Sequence, residues 1–184
     1  KADSVFASLT GGIRLDMFNT MKPTVAQTTI MAAVMQKEFP DAGQLDTYFQ
    51  TLAKNDSKQV AGLETADFQA TVLFDMVPVK KQAEGLLESL NDPEKFLENS
   101  RKLNDAYLNR DADALWKIAL ETEGEEDEFF EILLDRRNEE WLSKLPGMMR
   151  EQPLFVAVGA LHLLGDQGIV NGLRKQGFKV TPIL

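Results

Sequence analysis

From Thr24 to Leu145 the apolar residues recur at helical spacing, and Pro, Gly, Asn and Asp cut the pattern into short runs. A chain patterned this way has to bury one face of each of many short helices. Residues 24–39, TVAQTTIMAAVMQKEF, read as a mostly buried helix after Pro23, ended by Pro40, Asp41 and Gly43. QLDTYFQTLAKN, from Gln44, reads as an amphipathic helix with Leu45, Tyr48, Phe49 and Leu52 on one face. Thr65 is placed to cap a helix running from Ala66 toward Met76. Pro78 resets the chain, and VKKQAEGLLESL is helical again. Asn91-Asp92-Pro93 pairs a capping residue with proline at the first helical position. The helix it opens runs to about Arg110, with Phe96, Leu97, Leu103 and Tyr107 inward, and DADALWKIALET follows from Asp111. A long helix, FFEILLDRRNEEWLSKL, ends at Pro146-Gly147. Residues 1–22 are the least regular: SVFASL fits a short helix, broken by Gly11-Gly12.

Three apolar, β-branched runs interrupt the helical pattern: KQVAGLE around Val60, PLFVAVG around Val156 and FKVTPIL around Val180. They read as strands. The last two flank a helix from Asp166 to Gln176, with Gly177 as its C-cap. The expected class is therefore α/β or α+β: helix-rich, with a small sheet and a C-terminal strand–helix–strand unit. If those two strands are parallel neighbours, their connection is a right-handed crossover. The chain has 184 residues, which suffices for one domain with a real core, taken here as residues 1–184.

The formal net charge of -9 argues against nonspecific nucleic-acid binding and against docking on anionic lipid, both of which need a basic surface. With no cysteine, the chain has no disulfide, no thiolate zinc site and no cysteine nucleophile. No apolar run approaches the ~20 residues of a membrane span, and no signal peptide is visible. The chain opens on Lys1 rather than Met, which leaves room for an upstream signal, anchor or further piece of fold. The acidic stretch EGEEDE, Glu123 to Glu128, reads as a solvated helix start, with a cation site as the alternative.

The single histidine, His162, falls between the expected strand FVAVG and the helix after it. The expected strand VAGL ends at Glu64. If both strands are parallel in one sheet, Glu64 and His162 share its carboxyl edge, where open α/β sheets bind ligands. A carboxylate and an imidazole there can share a metal or act in proton transfer. The plain alternatives are a capping or surface histidine and a glutamate favouring a helix N-terminus by charge. Gly159 would let the backbone turn or approach a ligand, and Gly165 and Gly168 would relieve crowding where the loop meets the helix. Arg137 and Asn138 lie in the mixed-charge run DRRNEE, a solvated, salt-bridged face on the simplest reading. An arginine there could instead bind an anionic substrate group. Trp141 reads as core. There is no phosphate-binding glycine loop, nucleophile elbow or HExxH helix.

GALHLLGDQGIVNGLRKQGFKV resembles the C-terminal signature of the TraB/GumN family, which includes the Tiki proteins: a GxxH motif, LxGxxG, an amphipathic helix and a GxxV strand. LDTYFQTLAK, VAGLETADFQ and RRNEEW resemble three further family segments, in family order, so the resemblance spans Leu45 to Val180. It implies a metal-dependent, peptidase-like hydrolase; members of the Tiki branch use two GxxH motifs and acidic residues. Carried over by position, His162 and Glu64 would be catalytic and would ligate a divalent transition metal (Zn, Mn or Co). Arg137 would bind substrate charge. Asn138, Gln69 and Gly159 match the family's remaining binding positions. The implied substrate is a peptide or small molecule, and the implied location is exported, periplasmic or membrane-associated. The family's first GxxH motif is absent. The expectation is thus the C-terminal part of a family member, lacking an N-terminal segment and inactive alone. The surface left exposed would favour a homodimer or domain swap. The alternative is a non-enzymatic binding or signalling-inhibitor protein on the same fold.

Overall fold

The computed structural model describes residues 1–123 and 130–183. Their contacts gather into two compact units, Lys1–Leu97 and Glu98–Leu184. The first unit holds α1 (Ala2–Leu9), a 3-10 turn (Leu15–Phe18), α2 (Pro23–Glu38), α3 (Leu45–Asn55), α4 (Ala66–Phe74) and α5 (Val79–Asn91). Helix α6 (Pro93–Leu108) starts in the first unit and continues into the second, which adds α7 (Ala112–Glu123). A π turn (Glu131–Asp135) then leads directly into α8 (Arg136–Glu151), followed by a second 3-10 turn (Ala160–Leu163) and α9 (Ile169–Lys175).

The helix starts are where the local sequence chemistry places them. The Thr65 hydroxyl accepts a hydrogen bond from Phe68 N–H at 3.2 Å. Asp92 Oδ1 accepts from Lys95 N–H at 3.1 Å, with Pro93 opening α6. Asp111 Oδ1 accepts from Ala114 N–H at 2.9 Å ahead of α7. Each bond satisfies one of the amide donors that a helix N-terminus otherwise leaves unpaired.

In the first unit the core is a helix-on-helix seam. Ala26, Ile30 and Val34 on α2 are spaced four apart and meet Leu86 and Leu90 on α5, with Phe6 of α1 closing the cluster. The Phe6 ring packs edge-on against Phe18, with centroids 5.3 Å apart. Gln82 occupies the next position of the α5 stripe, and it is buried there for a reason. Its Nε2 donates to Val77 O at 2.7 Å and Phe74 O at 3.1 Å, and its Oε1 accepts from Thr24 N–H at 3.3 Å. One amide thus satisfies the end of α4, the α4–α5 link and the start of α2.

In the second unit the buried side of α8 carries Arg137, Asn138, Trp141, Leu145 and Pro146. The sequence suggests that this helix stops at Pro146-Gly147; it continues to Glu151. A proline inside a helix leaves the carbonyl four residues earlier without its ladder partner. Here that carbonyl, Leu142 O, accepts from Gln176 Nε2 at 3.3 Å. The Leu142 side chain lies over Gly172 of α9, where a Cβ would come within 2.2 Å of Leu142 Cδ1. The end of α9 and α8 therefore meet at one turn through both a side-chain-to-carbonyl hydrogen bond and a close packing contact.

The expected sheet does not form: among the described residues there is no strand, and the α/β and α+β assignments give way to an all-helical architecture. Residues 58–62, 153–159 and 178–183 are irregular. Val60, Phe155 and Val156 are exposed. A short apolar run has no ladder of its own; it becomes a strand only where another strand supplies its hydrogen bonds. The apolar burial here is achieved by helices instead. The acidic run at 124–128 lies outside the described residues.

Candidate functional site

The second unit builds a compact polar cluster around the single histidine. His162 sits in the 3-10 turn Ala160–Leu163, where its N–H donates to Gly159 O at 3.0 Å. It is only 7% exposed. Its Nδ1 lies 2.8 Å from Asn138 Oδ1 on α8, in a buried hydrogen bond linking groups 24 residues apart in sequence. Asn138 is 1% exposed, and its Nδ2 donates to Gln167 O at 3.1 Å. The imidazole packs against Trp141, with ring centroids 4.5 Å apart and planes tilted by 42°. Arg137 Cζ lies 5.0 Å from the Trp141 ring centroid, within cation–π range, and its Nη1 donates to Leu133 O at 2.9 Å.

Local sequence explains how α8 delivers these groups. Asn138, Trp141 and Leu145 fall at i, i+3 and i+7, one stripe of a helix. Just upstream the helix widens into the π turn, and Arg136 bonds Glu131 Oε1 through Nε at 3.1 Å and Nη2 at 3.0 Å, a five-residue spacing. Single π turns inside helices often accompany functional sites. This one packs against the His162 turn. Asp135, at its end, is half-buried, and desolvation, reinforced by Glu131, holds its carboxyl above the ordinary range.

The loop after His162 is held by side chains. Gly165 O accepts from Asn171 Nδ2 at 2.9 Å, Asp166 O from Lys175 Nζ at 3.0 Å, and Gln167 O from Asn138. Gly165 has φ +75°, and a Cβ on it would fall 2.3 Å from Trp116 Cζ2. A Cβ on Gly168 would fall 2.1 Å from Leu164 O. The crowding expected from the sequence at these two glycines is present. Gly159, expected to let the backbone turn or approach a ligand, has φ −58°, which other residues also adopt, and a Cβ there would meet His162 Cδ2 at an ordinary 3.6 Å.

The remaining sequence candidates belong to the first unit. Glu64 is half-buried in the bend before α4, where Gly62 allows a close approach: a Cβ at 62 would lie 2.8 Å from Glu64 O. Gln69 is exposed on α4. The argument that placed Glu64 and His162 at one carboxyl edge falls with the sheet it required. Sequence reasoning also missed Trp141 as a wall of the histidine site and Gln167 as the anchor of Asn138. A buried asparagine in a helix interior was the available signal, since Asn is a poor interior helix residue without a specific partner.

A catalytic metal takes about three protein ligands and an open position. Among the described residues no group of three or more His, Asp or Glu side chains is placed to hold one. The donors among the described residues do not by themselves make up a complete metal site. Among the described residues, no helix is long and apolar enough to cross a membrane.

Comparison with known proteins adds a family assignment. The family model described as TraB/PrgY/gumN matches residues 2–182, nearly the whole chain. No curated protein and no solved structure matches it.

Proposed function

The chain belongs to the TraB/PrgY/gumN family, and from that premise we propose that it is the histidine-bearing, C-terminal region of a metal-dependent, peptidase-like hydrolase. The observation that carries the reading is the setting of His162. A buried imidazole is hydrogen-bonded on one nitrogen by a buried amide and packed on a tryptophan face. Metal-ligating histidines are commonly held in this way, by a partner on the nitrogen that does not bind the metal. Arg137 brings a permanent positive charge to the Trp141 ring that backs the imidazole, and a guanidinium suits an anionic substrate group. Because the described residues supply no complete ligand set, we assign no step to a metal and propose that the chain is inactive alone.

A second reading, a non-enzymatic binding protein on the same fold, is favoured by one observation. Leu45, Tyr48 and Leu52 on α3 are all exposed, at 58%, 59% and 45%. An apolar helix face left open is the usual signature of a docking surface.

Calorimetric titration with Zn²⁺, Mn²⁺ and Co²⁺, beside His162→Ala, separates the two. Micromolar or tighter binding that is lost in the variant supports the metal-site reading and calls for peptide-hydrolysis assays. Binding that is absent, or indifferent to the substitution, means that this chain lacks the ligands a metal site needs and favours the second reading.

A further inference from the structure

We infer that Asn138 is a positioning residue that fixes the tautomer of His162, keeping the proton on Nδ1 and making Nε2 the electron-pair nitrogen. The resemblance assigns Asn138 to binding; the geometry gives it a different task. Gln167 O is a carbonyl and can only accept, so the Asn138 atom 3.1 Å from it is the amide nitrogen. That orientation turns Oδ1 toward His162. An amide oxygen also only accepts, so the ring nitrogen 2.8 Å away carries the hydrogen. In a neutral imidazole the other nitrogen, Nε2, is then the acceptor.

Three features keep the arrangement from swapping. Asn138 is 1% exposed, so flipping its amide would set a buried N–H₂ against Nδ1–H and an oxygen against Gln167 O. The Trp141 ring backs the imidazole. The Gln167 carbonyl is itself held in a loop whose two preceding carbonyls are taken by Asn171 and Lys175. On the ring edge that includes Nε2, Cδ2 faces Gly159, an exposed residue with no side chain. The nitrogen with the lone pair is thus the one on the edge away from Asn138. The proton on Nδ1 rests on the Asn138 contact, and the lone pair on Nε2 follows for the neutral ring. Its consequence, that Nε2 is the atom offered to a metal or a proton, rests on the hydrolase reading above.

One histidine in the chain makes the test direct. The metal-free full chain, labelled with ¹⁵N-histidine, is recorded by long-range ¹H–¹⁵N correlation at about pH 8, above the ordinary histidine pKa of about 6.5. The expected spectrum shows a protonated, pyrrole-type Nδ1 and an unprotonated, pyridine-type Nε2. Asn138→Leu removes the acceptor and is expected to move the proton to Nε2 in most molecules. Asn138→Asp keeps an oxygen facing Nδ1 but sets its second oxygen against Gln167 O, so it costs stability, and where the variant folds the Nδ1 proton is expected to stay. A wild-type ring protonated at Nε2, alone or together with Nδ1, overturns the inference. So does an Asn138→Leu variant that folds and keeps the wild-type pattern. If neither variant folds, the wild-type spectrum decides. Zinc added to the same wild-type sample tests the other reading separately: an Nε2 resonance that does not respond counts against the metal site and leaves the tautomer assignment standing.

Discussion

Replacing Gly168 by alanine should be one of the most damaging single-methyl additions in the second unit. The backbone there is ordinary, with φ −68° and ψ 154°, so alanine meets no torsional penalty. The cost is space. The new Cβ would lie 2.1 Å from Leu164 O, 2.6 Å from Leu164 C and 2.7 Å from Leu163 O, all backbone atoms. Reaching ordinary contact requires the 164 peptide to retreat by about 1 Å, in a core where overpacking typically costs 1–3 kcal/mol. The retreat pulls on carbonyls 165 to 167, each bonded to a side chain, and losing one such bond adds about 1 kcal/mol. Gly168 is also the N-cap of α9, where alanine is a poor substitute. The expected total is about 3–4 kcal/mol. Urea unfolding read by tryptophan fluorescence is the assay, because both tryptophans, Trp116 and Trp141, belong to the second unit. Gly147→Ala is the control: nothing lies within 4 Å of its added Cβ, so it should gain about 0.5–1 kcal/mol from the helix interior. If Gly168→Ala loses less than about 1 kcal/mol, the close approach is not a feature of the folded protein.

Two further outcomes follow from polar groups. Gln82→Leu, close in volume, should cost about 3 kcal/mol, because it strands Thr24 N–H, Phe74 O and Val77 O at partly buried positions; a loss below about 1 kcal/mol by circular dichroism in urea would show that water replaces those bonds. Asp135 has its folded-state pKa raised, by desolvation first and Glu131 second, so the folded state holds its proton to higher pH than the unfolded chain. Stability therefore falls as pH rises through that window, and the ionised carboxylate is unfavourable at neutral pH. Asp135→Asn should raise stability at pH 7 and lose that advantage below the unfolded carboxyl pKa; an equal effect at both pH values would contradict the assignment.

The helices were legible because their signals are local. Thr65 and the Asp92-Pro93 pair act within one turn, and nothing distant overrides them. The strands were misread for the complementary reason. PLFVAVG has the composition of a strand, but pairing is a long-range property that no seven-residue window contains. The stop at Pro146 failed in the same way, since its remedy, Gln176, comes from another helix. His162 drew attention as the single histidine and the Arg137-Asn138 pair as part of a mixed-charge run, and the family resemblance then gave them roles. What the resemblance does not carry is that Asn138 reaches the imidazole, because that contact depends on which stripe of α8 is buried. The glycines at 165 and 168 lay between these cases: their spacing signalled crowding, and the structure identifies Trp116 and Leu164 as the neighbours.

The notch that Pro146 cuts in α8 makes positions 146 and 176 epistatic. With proline present, Gln176 supplies the partner that Leu142 O lacks, and Gln176→Leu should cost up to about 1 kcal/mol. In a Pro146→Ala background the helix supplies its own N–H, and the same change at 176 should be nearly silent. The surplus over additivity in that double-mutant cycle measures one hydrogen bond. It also means that the glutamine at the end of α9 is worth more while position 146 is proline than when it is not, so a change at one position alters the cost of a change at the other.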